Sequence, residues 1–289
     1  MRVEKAVELT TTPFYPQSSY QCGPASLATV LNATGLDIDP TQLAGDVYIP
    51  DRKGTLQVEM IAAVRRYGRV PYHPGHDLQL LIDQLKHNLP VLVLLNLGFR
   101  VLPAYHYAVV IGYEPDSDAV IMRSGTDFRL LMPRQQFLSA WRKSGNWALT
   151  VLQPGKLPAT IDVGQYLKSI IALESVGQLR AAELSYRAVL RPWPENTLAL
   201  FGLANTLLAQ GKIDEAVIQF GHVLKLDAGQ KPVRNNLADT LLRLGRCEEA
   251  NAVLEHISIS DDSISAIDRA IRNTHSEIQA TCSHSRLIH

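Results

Sequence analysis

The second half of the chain repeats itself, and this repeat is the strongest constraint that the sequence places on the fold. Shifting the chain by about 34 residues superposes three sets of positions: Gly177, Gly211 and Gly245; Ala182, Ala216 and Ala250; and Tyr186, Phe220 and Leu254. Each unit predicts a helix that ends at the glycine, a charged turn and a second helix. The small residue lies where two helices approach closely, and the large residue four positions later fills the neighbouring gap. The sequence therefore predicts an all-α solenoid of tandem helix pairs.

These features resemble the tetratricopeptide repeat over about residues 163–258. The resemblance is strongest in the second and third units. In the first unit, Ser169 and Ile170 replace the usual leucine and small residue. The resemblance implies a concave groove that holds a peptide or a partner protein, and it implies no catalysis by the repeats.

A capping helix is predicted behind the last repeat. The segment DDSISAIDRAIRN places Ile264, Ile267 and Ile271 on one face behind an Asp-rich start, as in a helix that covers the open end of a stack. The repeat domain is therefore expected over residues 163–275, and residues 276–289 are expected to form a flexible tail.

The first half of the chain mixes helical and strand patterns. Helical spacing occurs in CGPASLATVLNATG, TLQVEMIAAVRRYG and LQLLIDQLKHN, and a short helix is predicted at FLSAW. Runs of β-branched residues predict strands at PVLVLLNL, HYAVVIGYE, AVIMRS and NWALTVLQP. Helices first and strands later indicate an α+β domain. Two prolines and a glycine in PGKLPATID, around residues 154–162, mark its end, so this domain is expected over residues 1–155.

Composition and charge exclude several classes of function. Lys plus Arg (28) equal Asp plus Glu (28), and no basic run is interleaved with aromatic residues, so we expect no nucleic-acid partner. The longest apolar stretch is far shorter than the roughly 20 residues that span a bilayer. The first residues, MRVEKAVELTTTPF, lack the apolar segment of a secretory signal. The chain as given is therefore expected in the cytoplasm, or in the bacterial envelope if a leader precedes it.

The cysteines and histidines give no metal-binding pattern. Cys22, Cys247 and Cys282 lie too far apart for a metal clip of the CxxC type, and their odd number argues against a simple disulfide framework. Cys247 lies at a repeat turn and is expected to be a spectator. His73 and His76, in HPGH, have no third ligand beside them and are expected to be surface residues. We therefore expect no metal and no cofactor.

Cys22 has the sequence environment of a reactive thiol. Gly23 leaves the backbone unobstructed and Pro24 suits the first turn of a helix, so Cys22 is expected at a helix N-terminus, where the macrodipole favours the thiolate. Gln17 stands five residues earlier, and its amide could donate to a developing oxyanion together with the Cys22 backbone N–H. His106 begins the strand HYAVVIGY, where a rigid strand end could hold a general base.

The segment PQSSYQCGPASLATVL resembles the start of the C39-like peptidases, papain-fold cysteine peptidases related to the leader-cleaving domains of bacteriocin exporters. In that family a Gln precedes a Cys-Gly pair that opens a helix, and a strand with His-x-x-x-x-x-Gly-Tyr follows, matched here by His106, Gly112 and Tyr113. The resemblance covers roughly residues 12–153. It implies that Cys22 is the nucleophile, that Gln17 belongs to the oxyanion hole and that His106 is the base.

The sequence departs from the family at the third catalytic position. The family has Asp or Asn ahead of a Pro on the strand after the histidine, whereas AVIMRSGTD has Ser124 near this place and Asp127 three residues later. A serine can accept a hydrogen bond from the imidazole but stabilises imidazolium less than a carboxylate does. Either Asp127 reaches back to His106, or the activity is modest.

Together these features predict a cysteine peptidase that cleaves a peptide bond through a thioester, with the repeats presenting the substrate or recruiting a protein partner. A double-glycine leader peptide is the substrate that the relatives suggest. One alternative is a degenerate peptidase fold that binds peptides as a scaffold, and another is a thiol acyltransferase or amidase. No phosphate-binding loop follows the first domain, so a transporter or envelope partner would be a separate subunit.

Overall fold

The computed structural model describes residues 5–16, 21–52, 54–99, 101–255, 257 and 265–285. The chain divides into two compact units, Met1–Ala181 and Ala182–His289. The first unit contains strand β1 (Val7–Glu8), helices α1 (Cys22–Asn32) and α2 (Pro40–Val47), strand β2 (Tyr48–Ile49), a 3-10 turn (Pro50–Arg52), strand β3 (Gly54–Thr55), helix α3 (Gln57–Arg66), strand β4 (Val70–Tyr72), helix α4 (Leu78–Lys86), strands β5 (Val91–Asn96), β6 (Tyr105–Glu114), β7 (Ala119–Ser124) and β8 (Asp127–Pro133), helix α5 (Arg134–Arg142), strand β9 (Ala148–Leu152) and helix α6 (Val163–Ser175).

An antiparallel sheet of seven strands forms the centre of the first unit, within the described residues. Its order is β4-β9-β5-β6-β7-β8, and β1 pairs with the far end of β6. In the register, His106 lies opposite Leu95 and Val109 lies opposite Arg123. The C-terminal ends of β5 and β7 therefore lie beside the N-terminal end of β6, where His106 is.

Helices cover both faces of the sheet. Because side chains alternate along a strand, Tyr107 and Val109 of β6 face a core that includes residues of α1, α2 and α3, whereas Ala108 and Val110 face a second core with residues of α4 and α5. Burial on both faces explains why β5 and β6 are continuous apolar runs rather than alternating ones. The predicted α+β architecture is confirmed.

Several elements of the first unit were not predicted, namely the short strands β1 to β4, helix α2 and strand β8. Helix α2 lies inside the segment expected to be a polar connection, where the Asp39 carboxylate accepts from Thr41 N at 2.7 Å and Pro40 occupies the first helical turn. Strand β8 is a mostly exposed strand at the end of the sheet. Its residues DFRLLMP do not alternate, so the pattern gave no strand signal.

The first unit extends beyond the change of sequence pattern near residues 154–162. The Tyr72 hydroxyl donates to Thr160 O at 3.0 Å and accepts from Asp162 N at 2.9 Å. Tyr166 of α6 is fully buried, and its ring lies 6.2 Å from that of Tyr72. The first helix after the connection therefore packs on the sheet domain.

Helical hairpins build the rest of the chain. They comprise α7 (Leu179–Leu190), α8 (Thr197–Ala209), α9 (Ile213–Leu226), α10 (Lys231–Arg243), α11 (Cys247–Leu254) and α12 (Ala266–Ser285). The predicted helical repeat architecture is confirmed.

The three repeat glycines end their helices in the same way. Gly177, Gly211 and Gly245 have φ of 77°, 75° and 70°, in the left-handed region that favours glycine. After each one, the next backbone N–H donates to a carbonyl five residues earlier, at 3.0, 2.9 and 3.0 Å. This is the hydrogen-bond pattern of a glycine-ended helix.

The packing positions of the repeat are buried as predicted. The three alanines at the close approach have no exposed surface. The large residues four positions later, Tyr186, Phe220 and Leu254, are 0%, 0% and 6% exposed. The sequence period therefore corresponds to equivalent packing in each unit.

The last helix differs from the expectation in two respects. Helix α12 continues to Ser285, so residues 276–285 are helical where a flexible tail was expected, and Ile278 is only 3% exposed. Cys282 of α12 forms a disulfide with Cys247 of α11. The expectation that Cys247 is a spectator is therefore wrong, because the fold places it against a cysteine 35 residues away. Ile264 of the predicted capping face lies outside the described residues.

Where the chain is described, the helices are all too short or too polar to span a bilayer. Over the same residues, the side chains form no cluster of three or more metal-ligating groups.

Candidate active site

Cys22 is the first residue of helix α1, and its thiol is free and partly exposed. The rest of the first turn is buried. Gly23 packs directly on Thr55, since a Cβ at Gly23 would lie 2.6 Å from the Thr55 Cβ. The local sequence thus fixes the thiol at a helix N-terminus with little freedom around it, as the Cys-Gly-Pro pattern predicts.

The first turns of α1 lie against the beginning of strand β6. The Ser26 hydroxyl, one turn after Cys22, donates to Tyr107 O at 3.2 Å. The Tyr107 hydroxyl donates to Thr55 O, also at 3.2 Å. Cys22 packs against the core to which Tyr107 belongs. Burial, together with the charge of Cys22, raises the pKa of Tyr107. Cys22 therefore lies at the end of the sheet where β6 begins.

His106 is the second residue of β6 and is partly buried. Its Nε2 lies 2.9 Å from Ser124 Oγ at the end of β7. Burial lowers the pKa of His106, so the neutral imidazole is favoured. Nδ1 has no hydrogen-bond partner among the residues that the structure describes, which leaves this nitrogen available to accept a proton.

The structure does not bring Cys22 and His106 into direct contact. No hydrogen bond joins the two side chains, both of which are described. Both lie at the same end of the sheet, where α1 and β6 begin, but strand alternation places the His106 side chain on the face opposite α1. Hydrogen bonds between catalytic groups are often long in free enzymes and shorten when substrate binds.

The two candidates for the third position have different surroundings. Ser124 is 7% exposed and contacts His106. Asp127 begins β8 after a two-residue turn through Gly125, which has φ +59°. The Asp127 side chain is exposed and forms no hydrogen bond with any described residue. The imidazole is therefore oriented by a hydroxyl, and no carboxylate of the described residues forms a hydrogen bond or ion pair with it.

Gln17, the candidate oxyanion donor, lies outside the described residues. Its backbone partner, the N–H of Cys22, lies at the helix N-terminus, where backbone donors are free of intrahelical partners. The role of Gln17 therefore stays a prediction.

Tyr107 and Thr55 contribute to this site and were not singled out from the sequence. Tyr107 follows His106 directly, so strand alternation alone places its side chain on the opposite face of the sheet, towards α1. This signal was available once His106 was considered. Thr55 had no such signal, because only the tertiary fold brings β3 against α1.

Both histidines of HPGH lie against backbone carbonyls, and His73 is partly buried where a surface residue was expected. His73 Nδ1 lies 2.8 Å from Ala148 O, and its ring contacts Trp147 edge to face at 6.0 Å. Burial lowers the pKa of His73. His76 Nδ1 lies 3.2 Å from Asn146 O. Trp147 also packs on Tyr107, with ring centroids 5.8 Å apart.

Comparisons with known proteins found two family matches and several similar solved structures. Residues 9–149 match the model of the Peptidase_C39 like family, and residues 167–230 match a tetratricopeptide repeat.

A crystal structure described as a C39-like peptidase from Bacillus anthracis is 18% identical, covering 52% of this chain and 98% of its own, with a TM-score of 0.44. The peptidase domain of Streptococcus ComA is 22% identical, with coverages of 49% and 98% and a TM-score of 0.39. The Yersinia enterocolitica chaperone SycD, in complex with a peptide of YopD, is 16% identical, with coverages of 43% and 97% and a TM-score of 0.39. No curated protein matches the chain.

The first unit thus contains a C39-like peptidase-family domain of α+β architecture. Tetratricopeptide repeats, a module that mediates protein–protein interaction, follow it in the same chain.

Proposed function

We propose that this protein is a cysteine peptidase that cleaves a peptide bond of a bound protein or peptide. The observation that carries the proposal is the free Cys22 thiol at the start of α1, at the same sheet end as an imidazole oriented by Ser124 at 2.9 Å. A nucleophile at a helix N-terminus and a base oriented by a third group are the parts that thiol catalysis needs.

In the proposed reaction, neutral His106 takes the thiol proton through Nδ1, and Cys22 Sγ attacks the carbonyl carbon. The oxyanion is held by the Cys22 N–H and by Gln17. The imidazolium returns the proton to the leaving amine as the C–N bond breaks, leaving a thioester. Water, deprotonated by His106, then attacks the thioester and releases the acid and the thiol.

The first test is the pH dependence of Cys22 alkylation by iodoacetamide. We expect labelling of the intact protein at pH 6 to be at least about tenfold faster than for an ordinary thiol of pKa about 8.5. Fast labelling at this pH requires that His106 holds the proton of the Cys22 thiol, because the imidazolium stabilises the thiolate. Burial lowers the pKa of His106 and opposes this charge. The rate should fall as the pH decreases and the thiolate is protonated.

His106→Ala should return the labelling profile to that of an ordinary thiol. His87→Ala, which removes an exposed imidazole directly after α4, is the matched control and should label as the wild type does. Equal rates in the wild type and His106→Ala, rising only near pH 8.5, would remove the proposal of a thiol–imidazole pair.

A peptide-binding scaffold is the second candidate function, and two observations favour it. Cys22 and His106 share no hydrogen bond, and the group next to the imidazole is a hydroxyl rather than a carboxylate. The discriminating measurement is hydrolysis of leader peptides with a double glycine, compared between the wild type and Cys22→Ala. Binding without cleavage in both proteins would favour the scaffold, whereas transfer of the acyl group to an added amine would favour an acyltransferase or amidase.

The repeats are proposed to hold the substrate or to recruit a partner, including a transporter or envelope subunit. A pull-down with the intact chain and with a Cys22→Ala variant, which traps an uncleaved substrate, tests this part. A substrate captured equally by a chain in which the exposed apolar repeat residues Leu198 and Ile218 are changed to serine would argue against a role for the repeats.

A further inference from the structure

Arg123 is a buried cation whose donors go to backbone carbonyls. It lies in β7 next to Ser124 and is 2% exposed. Its Nη2 lies 3.1 Å from Thr10 O and 3.2 Å from Thr12 O, and its Nη1 donates to Phe128 O. Over the described residues it forms no ion pair with a carboxylate. Burying a guanidinium is costly even when it is hydrogen-bonded, and an apolar side chain often stabilises a core as well.

An aromatic pair fixes the orientation of the guanidinium. The Arg123 Cζ lies 3.6 Å from the centroid of the Phe128 ring. Phe14 packs on Phe128 edge to face, with ring centroids 5.6 Å apart. The planar guanidinium stacks on the ring and donates several hydrogen bonds in a fixed arrangement, which the ammonium group of a lysine cannot reproduce.

Two of the three carbonyls that Arg123 contacts, those of Thr10 and Thr12, belong to residues 9–16, here called the leading segment. This segment is fixed at its start by Leu9 N, which donates to Ile111 O at 2.8 Å. It is also tied near its end, where Asn32 Nδ2 lies 2.5 Å from the Tyr15 hydroxyl. Gln17 and Cys22 follow the leading segment along the chain.

Two neighbouring residues of β7 therefore contact His106 and the leading segment, respectively. Side chains at successive strand positions point to opposite faces. Ser124 contacts His106 on one face, while Arg123 reaches the leading segment on the other. Asn32 belongs to α1, so a displacement of the leading segment would act through the Tyr15–Asn32 contact on the helix that begins at Cys22.

We propose that Arg123 is a positioning residue for the proposed peptidase reaction, keeping the leading segment in register with the His106–Ser124 pair. This inference rests on the proposed function. Arg123 touches none of the reacting groups and acts through the segment that precedes Cys22.

The test compares Arg123→Met, Arg123→Lys and Arg129→Met in the full chain. Arg129 is the matched control, because its fork binds the Glu8 carboxylate at 2.8 and 2.9 Å and ties down the same N-terminal region without touching residues 10–12. For each variant, the rate of Cys22 alkylation by iodoacetamide is measured from pH 5 to 9, together with the melting temperature.

We expect Arg123→Met to lower the labelling rate at pH 6 about tenfold, as a misplaced catalytic pair does, while the rate at pH 9, where an ordinary thiol is ionised, stays unchanged. Arg123→Lys should recover part of this loss, and Arg129→Met should match the wild type. If Arg123→Met does not fold, the labelling rate of Arg123→Lys is the test, and we expect that rate to fall about threefold at pH 6.

The outcomes separate the two proposals. A wild type without fast labelling at pH 6 would remove the peptidase proposal itself. Fast labelling in the wild type and an unchanged pH profile in the folded Arg123 variants would overturn only the positioning role and leave Arg123 as a structural residue.

Discussion

Ser124 limits how strongly His106 can act as a base. A hydroxyl orients the ring at 2.9 Å but carries no charge that would stabilise imidazolium. Burial also lowers the pKa of His106, which favours the neutral imidazole. The residue environment therefore favours a base that is neutral before substrate binds.

A carboxylate at position 124 should strengthen the thiol–imidazole pair. In Ser124→Asp the negative charge raises the pKa of His106, and one pKa unit corresponds to about a tenfold change in the equilibrium. We expect labelling of Cys22 at pH 6 to increase about tenfold over the wild type and to decrease in Ser124→Ala.

Asp127→Ala is the control for this prediction, because that carboxylate is exposed and does not contact the imidazole. It should label within about twofold of the wild type. A large loss in Asp127→Ala, with no gain in Ser124→Asp, would show that the carboxylate of β8 reaches His106 in solution.

At the scale of elements, close helix packing in the repeats depends on one glycine. Gly202 lies in α8, and a Cβ there would be 2.6 Å from Tyr186 Cε1 and 2.5 Å from its hydroxyl. Tyr186 is fully buried and cannot move away without disturbing its neighbours.

Gly202→Ala should therefore destabilise the repeat unit by about 1–3 kcal/mol through overpacking. Gly221→Ala is the matched control in α9, since a Cβ there meets nothing within 4 Å. The added methyl should raise helix stability by about 0.5–1 kcal/mol. Urea unfolding of both variants measures the difference, and equal effects in the two would contradict the packing argument.

At the scale of the whole molecule, a disulfide joins helices α11 and α12. The disulfide between Cys247 and Cys282 spans 35 residues and joins α11 to α12. Helix α12 is also held by Lys231, whose Nζ lies 2.8 Å from the buried Asp268 carboxylate. The link should therefore stabilise a helix that already has native contacts.

Replacing both cysteines by serine should lower the stability of the repeat unit by about 3–4 kcal/mol, from the chain entropy of a loop of this length. Hydrogen exchange of α11 and α12 amides in the full chain reports this change directly. Alkylation of Cys22 should stay the same, because that thiol is not part of the disulfide. A loss of Cys22 reactivity on removing the disulfide would contradict this separation.

The sequence by itself determined the elements whose signal is local. The repeat glycines, the small and large packing positions, the continuous apolar strands β5 and β6, and the helix that begins at Cys22 were all predicted, because backbone conformation and side-chain period set them. The α+β class and the repeat class followed from the order of these elements.

Tertiary structure alone decided the contacts between residues distant in sequence. It placed Ser124 rather than Asp127 against His106, set Thr55 against Gly23, and paired Cys247 with Cys282. It also placed Arg123 over the leading segment, 111 residues away from Thr12. These outcomes depend on strand register and helix packing in three dimensions, which no local pattern of residues encodes.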